Sequence, residues 1–89
     1  MTSQVATRTV TLRTVLRSAA FVRGFKEARK GLPMDYDAYG EAHETTNRWS
    51  YERGRQFGLI YTGPIKDGKT ITHDAVVYYG RAVYLNWVR

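Results

Sequence analysis

The chain has 89 residues and a formal charge of +6, with 14 basic residues against 8 acids and no cysteine. That length allows one domain, residues 1–89, with a modest core whose net stability is roughly 3–5 kcal/mol. The missing cysteines exclude disulfides and thiolate metal sites and fit a reducing, cytoplasmic setting. No apolar run approaches the ~20 residues that span a bilayer, so no membrane partner is expected.

The charge is uneven. Residues 1–30 hold seven basic residues against Glu27, residues 31–47 hold Asp35, Asp37, Glu41 and Glu44 with no base, and the remainder is basic again. A basic surface steers nucleic acid or an acidic protein toward the chain. The first 26 residues have no acid and many Arg, Ser and Thr, as transit peptides do. Their removal would leave too little protein to fold, which argues against that reading.

Residues 4–12 alternate β-branched and other side chains, as a short strand does, and residues 1–13 equally suit a flexible or extended arm. The period then changes. Leu16, Ala20, Phe21, Gly24, Phe25 and Ala28 share an apolar face at three-to-four spacing, with Val15, Ala19, Val22 and Lys26 on another side, which predicts a first helix over about 14–30. Arg29 and Lys30 suit its last turn, Gly31 suits a left-handed cap, and Pro33 blocks continuation.

An acidic, tyrosine-bearing connection follows, with a short helical turn allowed at Tyr36 to Glu41. A second helix is expected over about 46–62, capped by Thr45 or Thr46 and closed by Gly63-Pro64. Trp49, Arg53, Gln56 and Ile60 form one of its stripes, and Ser50, Gly54, Phe57 and Tyr61 the next. Asp67-Gly68 reads as a tight turn between two short extended arms. The last segment is rich in aromatic and β-branched residues, yet Val76, Tyr79, Val83 and Trp87 recur at helical spacing behind Thr72 and Asp74. It is read as a third helix over about 73–88, giving a mainly α domain.

The word aromatic-x-Arg-Gly occurs twice, as Phe21-Val22-Arg23-Gly24 and Tyr51-Glu52-Arg53-Gly54, each inside a predicted helix. A glycine there costs about 1 kcal/mol relative to alanine, so close backbone approach between the two helices is expected. Gly24 precedes the end of its helix by about as much as Gly54 follows the start of the other. An antiparallel pair would bring the two level.

The stretch from Ala20 to about Leu59 resembles ribosome modulation factor and its small relatives, including short basic proteins of phage and prophage genomes. The matching residues are Arg23-Gly24-Phe25, Gly31, Tyr36 or Tyr39, then Trp49, Tyr51 and Gly54. The chain departs from the family at Met34-Asp35-Tyr36, where proline usually precedes tyrosine, and at Arg55, where a second tryptophan is usual. The resemblance implies a two-helix fold and a noncatalytic activity: binding small-subunit ribosomal RNA and promoting inactive ribosome dimers.

Arg13, Arg17, Arg23, Lys26, Arg29 and Lys30 repeat at three, four and seven spacing, as one stripe able to track phosphates would. The competing reading is a solvated helix face. Arg48, Arg53 and Arg55 would widen the stripe, and Tyr36, Tyr39 and Trp49 offer rings for an unpaired base. Phe21, Phe25, Phe57 and Trp87 fall on apolar stripes and are assigned to the core, and Gly24, Gly31, Gly54 and Trp49 to the architecture.

His43-Glu44 and His73-Asp74 match no zinc spacing, and no nucleophile motif or phosphate-cradling glycine loop is present. A noncatalytic protein without cofactor or metal is therefore expected. Its partner is RNA or the ribosome, or alternatively an acidic surface of a host protein complex docked by a phage-encoded inhibitor. A homodimer packed through the third helix is a further alternative.

Overall fold

A computed structural model describes residues 12–35 and 45–89, and the domain is mainly helical with one small antiparallel sheet. In chain order it contains a short helix α1 (12–17), α2 (Ala19–Arg29), α3 (Thr45–Ile60), β1 (Lys66–Asp67), β2 (Thr70–Ile71) and α4 (His73–Tyr84). The expectations for residues 1–11 and for the turn at Tyr36 to Glu41 lie outside what is described, and Thr45 and Thr46, expected to cap the second helix, are the first two residues of α3. Residues 12 and 13, expected in the arm, are helical.

The first predicted helix is two. Ser18 is extended (φ −65°, ψ 143°) and its hydroxyl accepts from the Phe21 N–H at 3.0 Å, so it caps α2 after α1 has ended. The break re-aims α1, so that Val15 is buried beside Leu16 instead of lying on the opposite side from it. The rest of the predicted apolar face, Ala20, Phe21, Gly24, Phe25 and Ala28, is buried as expected.

Gly31 (φ 72°) closes α2: its N–H donates to the Ala28 carbonyl and that of Leu32 to the Glu27 carbonyl, the paired bonds of a Schellman cap. The same device ends α4 earlier than its periodicity suggests. Asn86 (φ 61°) donates to Val83, and Trp87 to Ala82 at 2.8 Å, so the helix stops at Tyr84 and not near residue 88. Trp87, assigned to the core from its spacing, is consequently 49% exposed, and Val88 is buried in its place.

The glycine crossing exists, with the opposite sense. A Cβ on Gly24 or Gly54 would run into the carbonyl oxygens of Tyr51 and Phe21 respectively, and one on Gly58 would stand 2.6 Å from the Phe25 oxygen. Gly54 sits against Phe21, its built Cβ 3.0 Å from that Cα, and Gly58 against Phe25 at 3.2 Å. Both steps are four residues, about 6 Å of helix; opposed axes would displace the second pair by about 12 Å. α2 and α3 therefore run parallel, correcting the antiparallel expectation. The connection between them is long enough to return the chain along α2, whose 11 residues span about 16 Å.

α4 closes the core over this pair. The Tyr79 ring meets Phe21 and Phe57 edge-on at 5.3 and 5.2 Å, and Phe57 stacks on Tyr61 at 4.8 Å. Such pairs add about 0.5–1.5 kcal/mol each beyond the area they bury. The hairpin pairs Lys66 with Ile71 and Asp67 with Thr70. Its turn is centred on Gly68 (φ 63°) and Lys69, one position later than the Asp-Gly reading implies.

Candidate functional site

Most of the basic residues singled out by the sequence fall into three groups. The first is engaged within the domain. Arg23 donates through Nε to Glu27 at 2.8 Å and pairs with Asp35 at 2.5 Å. Arg55 donates to the Leu32 carbonyl at 2.7 Å and faces Glu27 at 3.7 Å. Tyr51, fully buried, donates its hydroxyl to Glu27 and accepts from the Asp35 N–H at 2.8 Å. Glu27 is thus the hub tying α2, α3 and the start of the acidic connection together. The Tyr51 hydrogen bond, followed by that from Arg23, holds its carboxyl below the ordinary 4.5. Burial and the adjacent Glu27 push the Tyr51 phenol up.

Arg29 belongs to the same group. Its guanidinium lies 4.3 Å over the Phe25 ring and donates to the carbonyls of Tyr61, at 2.6 Å, and Gly63. It clamps the chain leaving α3 and so fixes where the hairpin starts.

The second group forms a basic face. A depression of about 420 Å³ between α2 and the hairpin is lined by the apolar Val22, Phe25, Pro64 and Ile65 and the basic Lys26, Arg29, Lys30 and Lys66. None of its lining residues carries a carboxylate. A second depression, about 540 Å³, shares Val22, Lys26, Lys30 and Lys66 and adds Glu27, whose oxygens are already occupied. Lys26, Lys30 and Lys66 are exposed and make no ion pair among the described residues. Sequence spacing singled out Lys26 and Lys30 but not Lys66, which reaches the face through the tertiary path of the hairpin.

Arg13 and Arg17 are exposed on α1, across the Ser18 break, so the expected single stripe is divided. The third group lies on α3. Arg53 stacks 4.2 Å over Trp49, and burial lowers its guanidinium pKa from the ordinary value without discharging it. Trp49, assigned to the architecture, is 40% exposed and outside the core. Arg48 is half-buried beside it. Tyr36 and Tyr39 lie outside the described residues. Burial pushes the Tyr79 phenol up to about 12 even though Arg53 opposes the shift.

Among the described residues no group of three or more His, Cys, Asp or Glu is placed to hold a metal ion, and no helix is long and apolar enough to cross a membrane. No family model matches the chain, and no curated protein or solved structure shows significant similarity to it.

Proposed function

We propose that the chain is a small noncatalytic binding protein of the cytoplasm that grips an RNA backbone, on the ribosome in particular, with the face built by Lys26, Lys30 and Lys66. The observation that carries this reading is the convergence of the three lysines and Arg29 on one depression whose lining has no carboxylate. Lysine ammonium groups on flexible stems suit phosphates presented at varying geometry, and each phosphate neutralised releases counterions. Arg13 and Arg17 offer a second contact on the far side of the Ser18 break. The resemblance to ribosome modulation factor directs the choice of RNA toward the ribosome.

The test is binding of the protein to purified small ribosomal subunits and to a labelled RNA hairpin across a salt series. The triple variant Lys26→Glu, Lys30→Glu, Lys66→Glu is expected to lose at least ~100-fold in affinity and to flatten the log–log salt slope by about 2–3. All three side chains are exposed, so the far-UV CD spectrum should not change. Unchanged affinity in the triple variant, or binding insensitive to salt, overturns the reading.

A further inference from the structure

α4 turns Ala75, Val76, Tyr79 and Ala82 into the core. The opposite stripe of a surface helix is ordinarily polar, but here Val77 is 48% exposed, Tyr84 77% and Leu85, the C-cap residue, 44%. With Asp74, Tyr78 and Arg81 they recur at i, i+3, i+4, i+7, i+10 and i+11, which places all six within about a third of the helix circumference. Four of the six, Asp74, Val77, Tyr78 and Arg81, line a single depression of about 300 Å³ together with Tyr61 and His73.

The two charges on this stripe are opposite, and both side chains are exposed. Neither Asp74 nor Arg81 makes an ion pair among the described residues. Seven residues separate them, about 10 Å along the axis, so they do not meet each other. Val77 and Tyr78 sit midway between them. A second copy laid antiparallel, with its two-fold through that midpoint, sets Asp74 of each chain against Arg81 of the other and packs Val77 and Tyr78 between the two pairs. The opposed helix dipoles add to the fit.

Other occupants fit less well. An acidic segment meets Asp74, a basic one meets Arg81, and a polyanion is repelled by the carboxylate in its path. The acidic connection leaves the described structure at Asp35, whose N–H is bonded to Tyr51 in the first half of α3, and returns at Thr45. The depression borders Tyr61, just beyond the other end of that helix.

We infer that α4 is the contact of a symmetric homodimer, packed antiparallel on α4 of a second copy, with two reciprocal Asp74–Arg81 ion pairs around Val77 and Tyr78. One 12-residue helix from each copy makes a small interface, so the dimer is weak, with a Kd on the order of 10–100 µM. The depression shares no lining residue with the two on the lysine face, and the inference stands whether or not RNA binds there.

The test is sedimentation equilibrium of the full chain from about 1 µM to 1 mM, a range that brackets such a Kd. The wild type is expected to pass from the monomer mass toward twice that mass. Asp74→Lys and Arg81→Glu each turn both attractive pairs into repulsive ones, and each variant alone should associate at least ~10-fold more weakly. Mixed in equal amounts, the two should recover the association, because each then carries the charges the other needs. Val77→Glu should weaken it as well, with an unchanged far-UV CD spectrum because the position is exposed. A wild type that stays monomeric throughout the range overturns the inference. So does association unaffected by Val77→Glu, or a mixture of the two charge variants that associates no better than either one.

Discussion

The α2–α3 crossing and the lysine face lie on opposite sides of the same helix and use their charges in opposite ways. At the crossing, backbone meets backbone over three glycines, and Arg23 and Arg55 are drawn into the Glu27–Tyr51 hub. On the other side, Lys26 and Lys30 are exposed and line a depression with Arg29 and Lys66. The difference teaches that net charge overstates the surface offered to a partner: Arg23, Arg29 and Arg55 tie the fold together, while Lys26, Lys30 and Lys66 stay exposed.

The comparison breaks most sharply at the crossing. Gly54→Leu should cost at least ~3 kcal/mol in denaturant unfolding, because the added atoms meet the Phe21 backbone, which cannot yield as a side chain would. If Gly54→Leu unfolds like the wild type, the two helices are not in backbone contact. The hub comes next. Tyr51→Phe removes the hydroxyl that donates to Glu27 and accepts from the Asp35 N–H, and a loss of ~1–3 kcal/mol is expected at neutral pH.

The hub also sets a pH dependence. The Glu27 carboxyl is held below 4.5 in the folded protein, so its contribution is fully present above pH 4.5 and is lost as pH falls through the lowered folded value. Acid unfolding of Tyr51→Phe should therefore show a shallower loss of stability below pH 4.5 than the wild type. Identical slopes would separate the hub from acid stability.

The smallest effect belongs to Tyr79, whose phenol is held up to about 12. A raised phenol binds its proton in the folded state after the unfolded chain has released it. Stability is thus retained below pH 10 and declines as pH rises from 10 toward 12. Tyrosinate absorbance should show Tyr79 ionising only with unfolding, and Tyr79→Phe should lessen that alkaline decline.

Much of this was legible in the sequence, for reasons that separate local from tertiary information. The apolar face from Leu16 to Ala28, the Gly31 stop and the buried stripe of Ser50, Gly54, Phe57 and Tyr61 follow from periodicity and cap chemistry within one helix. Ser18 was hidden because helix formers flank a residue whose hydroxyl caps only if the chain turns there. Asn86 was a readable stop for α4, a residue tolerant of positive φ, but the helical spacing of Trp87 masked it. Gly58, four residues after Gly54, completes a small-x-x-x-small spacing that could have doubled the evidence for the crossing.

The direction of the crossing was not legible, since the connection between α2 and α3 is long enough for either sense. Nor was the allocation of the arginines: their helical spacing is the same whether they face water, Glu27 or the Tyr61 carbonyl. Lys66 joins Lys26 and Lys30 only because Arg29 fixes the chain where it leaves α3. The candidate face is a product of tertiary structure built from individually unremarkable side chains.

The shared direction of α2 and α3 has an electrical consequence. Parallel neighbours align their dipoles, which places two partially negative ends side by side at the Arg29 and Ile60 termini. α3 has no basic residue in its last turn, and Arg29, from the last turn of α2, donates to the Tyr61 and Gly63 carbonyls just beyond α3. Lys26 lies in that same turn of α2, and Lys30 caps it. These cations therefore compensate two helix ends, and the potential the face projects into solvent is smaller than their formal charge, softening its grip on any polyanion.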